Sequence, residues 1–115
     1  MCFFLITAEF NYDRDTLLKS FTFSGHDNSE ARGGNIICAA ASALALNFSQ
    51  SITKLLKIKV KGVIKSGIIS LALDGPVGAQ RSRGLRLLTE SVKLGFMSIN
   101  EKYGEVIKII ETIKD

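Results

Sequence analysis

A single proline in 115 residues, with no low-complexity tract and no repeat, leaves the sequence without a candidate linker or domain boundary. Cysteine is almost as scarce. Cys2 and Cys38 lie far apart, too few for a disulfide framework, and a reducing cytoplasm suits them best. Together with one histidine they cannot supply a metal ligand set. The glycine-bearing stretch "GPVGAQRSRG" has neither a GxGxxG nor a GK[ST] pattern, so no cofactor is implied. The apolar start "MCFFLITAEF" lacks a basic leader and reaches Glu9 too soon for a secretory signal. No formal charge falls between Gly33 and Thr53, a length that raises the question of a membrane span. Asn35, Asn47, Ser49, Gln50 and Ser51 make that stretch too polar, so we expect a buried helix of a soluble protein and no membrane segment.

What is present fits one small globular domain over residues 1–115. The chain is 46% hydrophobic and 23% charged, enough apolar material for a modest core. Fifteen basic and eleven acidic residues give a net charge of +4. That balance suits proximity to a ribosome or RNA, and equally a mildly cationic surface.

The pattern changes period along the chain. "CFFLITAEF" and "LLKSFTFSG" are aromatic and β-branched, and the turn residues "NYDRD" between them predict a hairpin ending at Gly25. Residues 26–34 read as a loop. Ile37, Ala40, Ala41, Leu44, Phe48, Ile52 and Leu55 then recur at helical spacing, with Asn35 placed as the N-cap. "LKIKVKGVIK" and "IISLALDG" predict two more strands around a Ser66-Gly67 turn. A second helix carries Leu85, Leu88, Val92, Phe96, Ile99 and Tyr103 on one stripe and stops near Gly104. "EVIKIIETIKD" is assigned to a last strand. The expected fold is α+β, order ββαββαβ, a mixed or antiparallel sheet with two helices packed on one face.

One stretch suggests chemistry: "GHDNSEARGGNIICAAASA", residues 25 to 43, which holds His26 and Cys38. With Asn35 as N-cap, Cys38 falls in the first helical turn, where unpaired N–H groups and the helix dipole favour a thiolate. The glycine-bearing segment between them can fold the imidazole of His26 back over the helix start. A thiolate and an imidazolium supply the nucleophile and proton donor of acyl transfer, and first-turn N–H groups can hold an oxyanion. By spacing alone, a cysteine in an alanine-rich helix reads equally as a small buried hydrophobe. Ser42, one turn beyond Cys38 on the same face, can meet the loop or substrate, or bond to a carbonyl of the preceding turn. Gly33 and Gly34 permit positive φ or close substrate approach.

The stretch resembles the signature of the ribosomal-processing cysteine protease family, Prp. Gly25-His26, the spacing to Cys38, Ala39 and Ser42 match it, and the element order fits along the whole chain. The resemblance implies Cys38 as nucleophile and His26 as general base and acid. It also implies a substrate, the N-terminal extension of bacterial large-subunit ribosomal protein twenty-seven, removed during ribosome assembly, and a homodimeric enzyme. Asn35 stands where the family usually has aspartate, and Asp27 where it usually has alanine. An aspartate at 35 would stabilise an imidazolium electrostatically, whereas Asn35 can only orient it by hydrogen bonding.

Two basic clusters fall outside this motif. Lys57, Lys59 and Lys61 alternate as one face of a strand, and Arg81, Arg83 and Arg86 crowd a helix start, where cations are unfavourable. The lysines suit the solvated face of an edge strand better than a contact with RNA. Asn35 and the net charge sustain a rival reading, a ribosome-associated RNA-binding protein without peptidase activity.

Overall fold

The computed structural model describes residues 6–25, 34–65 and 67–114. Strands β1 (Ile6–Tyr12) and β2 (Leu18–Gly25) form the expected hairpin, with Phe10 opposite Phe21 and Ile6 opposite Gly25. Asn11 and Tyr12 belong to the strand rather than to the turn. Asn11 donates across to Ser20 Oγ at 2.9 Å, and Tyr12 stacks on Phe10. The turn is held instead by Asp13, whose carboxylate accepts from the N–H groups of Asp15 and Leu17.

With β3 (Val60–Lys65), β4 (Ile68–Leu73) and β5 (Ile107–Ile113), the sheet runs β3-β4-β2-β1-β5. Every neighbouring pair is antiparallel except β1 and β5, which are parallel. Helices α1 (Gly34–Gln50) and α2 (Ala79–Tyr103) cover the same face, as the single core residue Phe10 demonstrates. Its ring meets Phe48 of α1 and Phe96 of α2, besides Phe21 and Tyr12 of the sheet. The order ββαββαβ and the two-layer packing are those read from the sequence.

Of the expected stripe, Ala41, Phe48 and Ile52 are buried and Ala45 joins them, whereas Ala40 is exposed, and beyond Ile52 the stripe breaks. Leu55, expected inside, is 74% exposed. The cause is a π-helical continuation over Ser51–Leu55, where Leu56 N–H donates to Ser51 O at 3.1 Å. One extra residue per turn shifts the phase, so Leu56 takes the inward place and packs against Gly84 of α2. Ile36–Leu55 is long and apolar enough to cross a membrane by length and composition, but its buried stripe is the core of this domain.

The basic run before β3 also differs from expectation. The strand begins only at Val60, and Lys57 has φ 58°, a left-handed residue that turns the chain from the helix into the sheet. Lys57 and Lys59 therefore lie in a connection, and Lys61 alone of the three is in the strand. β3 is an edge strand held close to β4: a Cβ on Gly62 would overlap the Ser70 carbonyl oxygen.

α2 ends as the sequence indicated, with Gly104 at φ 90° donating to Asn100 O at 2.9 Å. Asn100 then clamps the start of β5, accepting from the N–H groups of Val106 and Ile107 and donating to Ile107 O. Farther along, Lys93 bridges Glu90 at 2.7 Å and Glu111 at 2.8 Å, and Tyr12 donates to the same Glu111 oxygen at 2.6 Å. Burial, and then the bond to Glu111, push the Tyr12 hydroxyl up to about 12. Burial opposes the Lys93 charge, yet its carboxylate partners outweigh this and hold its value raised. Glu111 is held below its ordinary 4.5, first by Lys93 and then by Tyr12.

A depressed carboxylate stabilises the fold above its ordinary value and loses that contribution as pH falls through the lower folded value. Glu111→Gln should therefore melt below wild type near neutrality, with the two midpoints converging as pH falls from about 6 toward about 3. Circular dichroism melts at several pH values measure this. Midpoints that stay parallel would mean that the bridge adds nothing on the acid limb.

Candidate active site

Cys38 is the fifth residue of α1, not the third, because the helix begins at Gly34. Asn35 is thus not the N-cap but the second helical residue, and Gly34 belongs to the first turn rather than the loop. The polar Asn35 looked like a stop, but a glycine is tolerated in a first turn, whose N–H groups have no helical partner in any case. The correction moves Cys38 just past that turn. In a helix the Cα–Cβ bond tilts toward the N-terminus, so a side chain here still lies over the first turn and its N–H groups. Cys38 is 8% exposed and joins the core cluster. His26, Asp27 and Gly33 lie outside the described residues.

The segment leading to His26 is fixed on its other side. Gly25 closes β2, and its N–H donates to Gly67 O at 2.8 Å. Gly67 has φ 79°, and a Cβ there would stand 2.9 Å from Gly25 O, so the tip of the β3–β4 hairpin can approach the strand end only as glycine. A Cβ on Gly25 would itself crowd the Phe23 ring at 3.3 Å.

Between this hairpin and α1 lies a cleft of about 130 Å³ lined by Phe23, Ser42, Leu46, Ile64, Lys65 and Ile68, among others. Two of its lining residues lie near the candidate pair in sequence. Phe23 is three residues before His26, and Ser42 is four after Cys38. Ser42 stands on the cleft wall, and farther along α1 Ser49 donates to Ala45 O at 2.9 Å. A second hollow, about 140 Å³, continues past Ile64 between α1 and the edge strand, reaching Ser49, Gln50 and Val63. The outer edge of β3 offers main-chain groups to an added strand.

These wall residues were not singled out from the sequence. Gly67, Ile64 and Ile68 read there as ordinary hairpin positions, and the only available signal was the turn glycine. Larger clefts of about 490 and 540 Å³ lie near Tyr12 and Asn11, at the opposite end of β1. Among the described residues neither is lined by cysteine or histidine, and in the first Tyr12, Lys93 and Glu111 satisfy one another. Among the described residues no group of three or more His, Cys, Asp or Glu could hold a metal ion.

The two-layer fold with a cysteine at a helix start defines a class, and comparison gives it a name. Residues 5–108 match the family described as cysteine protease Prp, and the chain belongs to that family. It is a cysteine protease, which sets aside the reading of a binding protein without peptidase activity. No curated protein matches the chain. Among solved structures, SMU.848 from Streptococcus mutans is 22% identical with a TM-score of 0.72, covering 96% of both chains. The essential ribosomal processing protease Prp from S. aureus, in complex with a substrate peptide, is 17% identical with a TM-score of 0.75. That match covers 93% of this chain and 99% of the other. The same S. aureus protein with a covalently linked product peptide matches at 18% identity and a TM-score of 0.73, with the same coverage. All three share the fold.

Proposed function

We propose that the chain is a cytoplasmic endopeptidase that removes the N-terminal extension of large-subunit ribosomal protein twenty-seven. The carrying observation is the family match over residues 5–108, with Cys38 near the start of α1. Substrate and product peptides held by the S. aureus relative support a peptide substrate, and its name supports a ribosomal one. The homodimeric state rests on the family resemblance alone.

In this mechanism the substrate lies extended along β3, with an apolar side chain in the cleft of Leu46, Ile64 and Ile68. The Cys38 thiolate attacks the scissile carbonyl and forms a carbon–sulfur bond, while first-turn N–H groups of α1 receive the oxyanion. His26 passes its proton to the departing amine as the carbon–nitrogen bond breaks. A water, deprotonated by the same imidazole, then hydrolyses the thioester and returns the thiol. Gly25, bonded to Gly67, fixes the end of β2 from which the chain continues to His26, and Gly33, Gly34, Asn35 and Ser42 are assigned to supporting the loop and substrate.

Intact-mass analysis of the extended ribosomal protein from the same organism tests the reading. The folded wild-type chain should shorten it at one bond. A substrate left whole would overturn the assignment.

A further inference from the structure

Two basic clusters that are distant in sequence meet in the fold. Lys57 and Lys59, in the connection before β3, line a polar cleft of about 310 Å³ with Asp74, Gly75, Pro76 and Arg81. Lys54 stands just upstream, in the last turn of the π-helical segment, and Arg83 just beyond Arg81 on α2, beside the Gly84–Leu56 contact. Lys61 reaches toward Asp74 at 3.8 Å, with both side chains well exposed. All six cations are exposed. In segments 54–61 and 74–83 they face one carboxylate, Asp74, for a formal charge of +5, one more than the +4 of the whole chain. The rest of the protein is slightly acidic, so the charge is concentrated rather than spread.

Among the described residues Asp74 is the one acid that lines this cleft. Asp13 caps its own turn, and Arg86 is turned away to the carbonyls of Asp15 and Thr16. The arrangement also costs stability. α2 has no acid in its first turn, its N-cap Gly78 makes no side-chain bond, and Arg81 and Arg83 oppose the helix dipole.

We propose that this end of the molecule binds the phosphate backbone of structured RNA without reading its sequence. Several separate cations on flexible stems suit a repeating polyphosphate. A membrane would call for an apolar face beside the charge, and Leu55 is the one large apolar side chain well exposed in these segments. Cys38 and Leu55 are separated by the length of one continuous helical run, about 25 Å at the α-helical rise. RNA at this end therefore leaves the groove beside Ser42 open. The binding claim stands apart from the ribosomal substrate; only its use, holding the protease near a ribosomal protein, depends on that reading.

Fluorescence anisotropy with a labelled RNA duplex of about 16 base pairs tests it. Between about 50 and 200 mM KCl, wild-type affinity should fall roughly a hundredfold or more, a log–log slope near −4. Lys57→Glu combined with Arg81→Glu should weaken binding at least about tenfold and flatten that slope, whereas Asp74→Asn should tighten binding about threefold. Cys38→Ala should bind as wild type does. Peptide hydrolysis and far-ultraviolet circular dichroism of the charge-reversed variant should stay at wild-type values, separating lost RNA contact from lost fold. The proposal fails if the charge-reversed variant binds RNA as tightly as wild type, or if wild type does not bind at the lower salt. It also fails if vesicles rich in phosphatidylserine compete better than unlabelled RNA.

Discussion

Replacing Cys38 by alanine should lower kcat/KM for the cleaved peptide by about 10⁴-fold or more, the usual scale for removing a covalent nucleophile. Residual rate would come only from binding and oxyanion contacts that survive the change. The alanine should fold, because it removes one sulfur from a site already 8% exposed and introduces no polar group. Serine is the more instructive variant. Its hydroxyl is nearly the same size, but the N–H groups and dipole at the start of α1 cannot ionise it as they can a thiol. Cys38→Ser should therefore lose nearly as much activity as alanine. Iodoacetamide supplies the companion reading: Cys38 should react much faster than an ordinary thiol near neutral pH, and His26→Ala should slow it by about tenfold or more. A well-folded Cys38→Ala enzyme that keeps a tenth of the wild-type rate would place the nucleophile elsewhere.

The largest structural effect belongs to Phe10→Ala, which should destabilise the fold by about 3–5 kcal/mol. Phe10 is fully buried and meets Tyr12, Phe21, Phe48 and Phe96, so its ring joins the sheet to both helices at one point. Removing it leaves a cavity that three separate elements would have to move to fill, and they cannot close on it together. Phe10→Leu keeps most of the volume and should cost less than half as much. Urea unfolding with matched slopes measures both changes. A loss below about 1.5 kcal/mol for alanine would mean that the neighbouring rings repack freely, against the geometry described here.

The fold was legible because its signals are periodic. Phe21 and Phe23 alternate inward on β2, and Leu85, Val92 and Phe96 repeat along α2, so strands and helices declare themselves locally. The exceptions have particular causes. Leu55 was misplaced because hydrophobic spacing cannot register a change of helical pitch, and the shift became visible only through the Leu56 to Ser51 bond. Lys57 looked like part of an alternating strand because side-chain type says nothing of its left-handed backbone. The start of α1 was off by two helical positions for a related reason: glycine and asparagine are both boundary residues, and docking decides between them. The candidate nucleophile was legible through the resemblance carried by residues 25–42. The cleft wall was not, since Ile64, Ile68 and Gly67 acquire that role only when the hairpin tip meets Gly25.

The parallel pairing of β1 with β5 sets the timing of assembly. Ile6 meets Ile107 and Tyr12 meets Ile113, so a strand made early waits with one edge open until a strand made late arrives. Long-range pairing of this kind is slow relative to local hairpins, and an unpaired strand edge invites wrong partners. The β1–β2 hairpin can form during synthesis, but the sheet cannot close around Phe10 until residue 113 is free of the ribosome. The complete sheet, and with it the finished protease domain, therefore waits on the docking of β5.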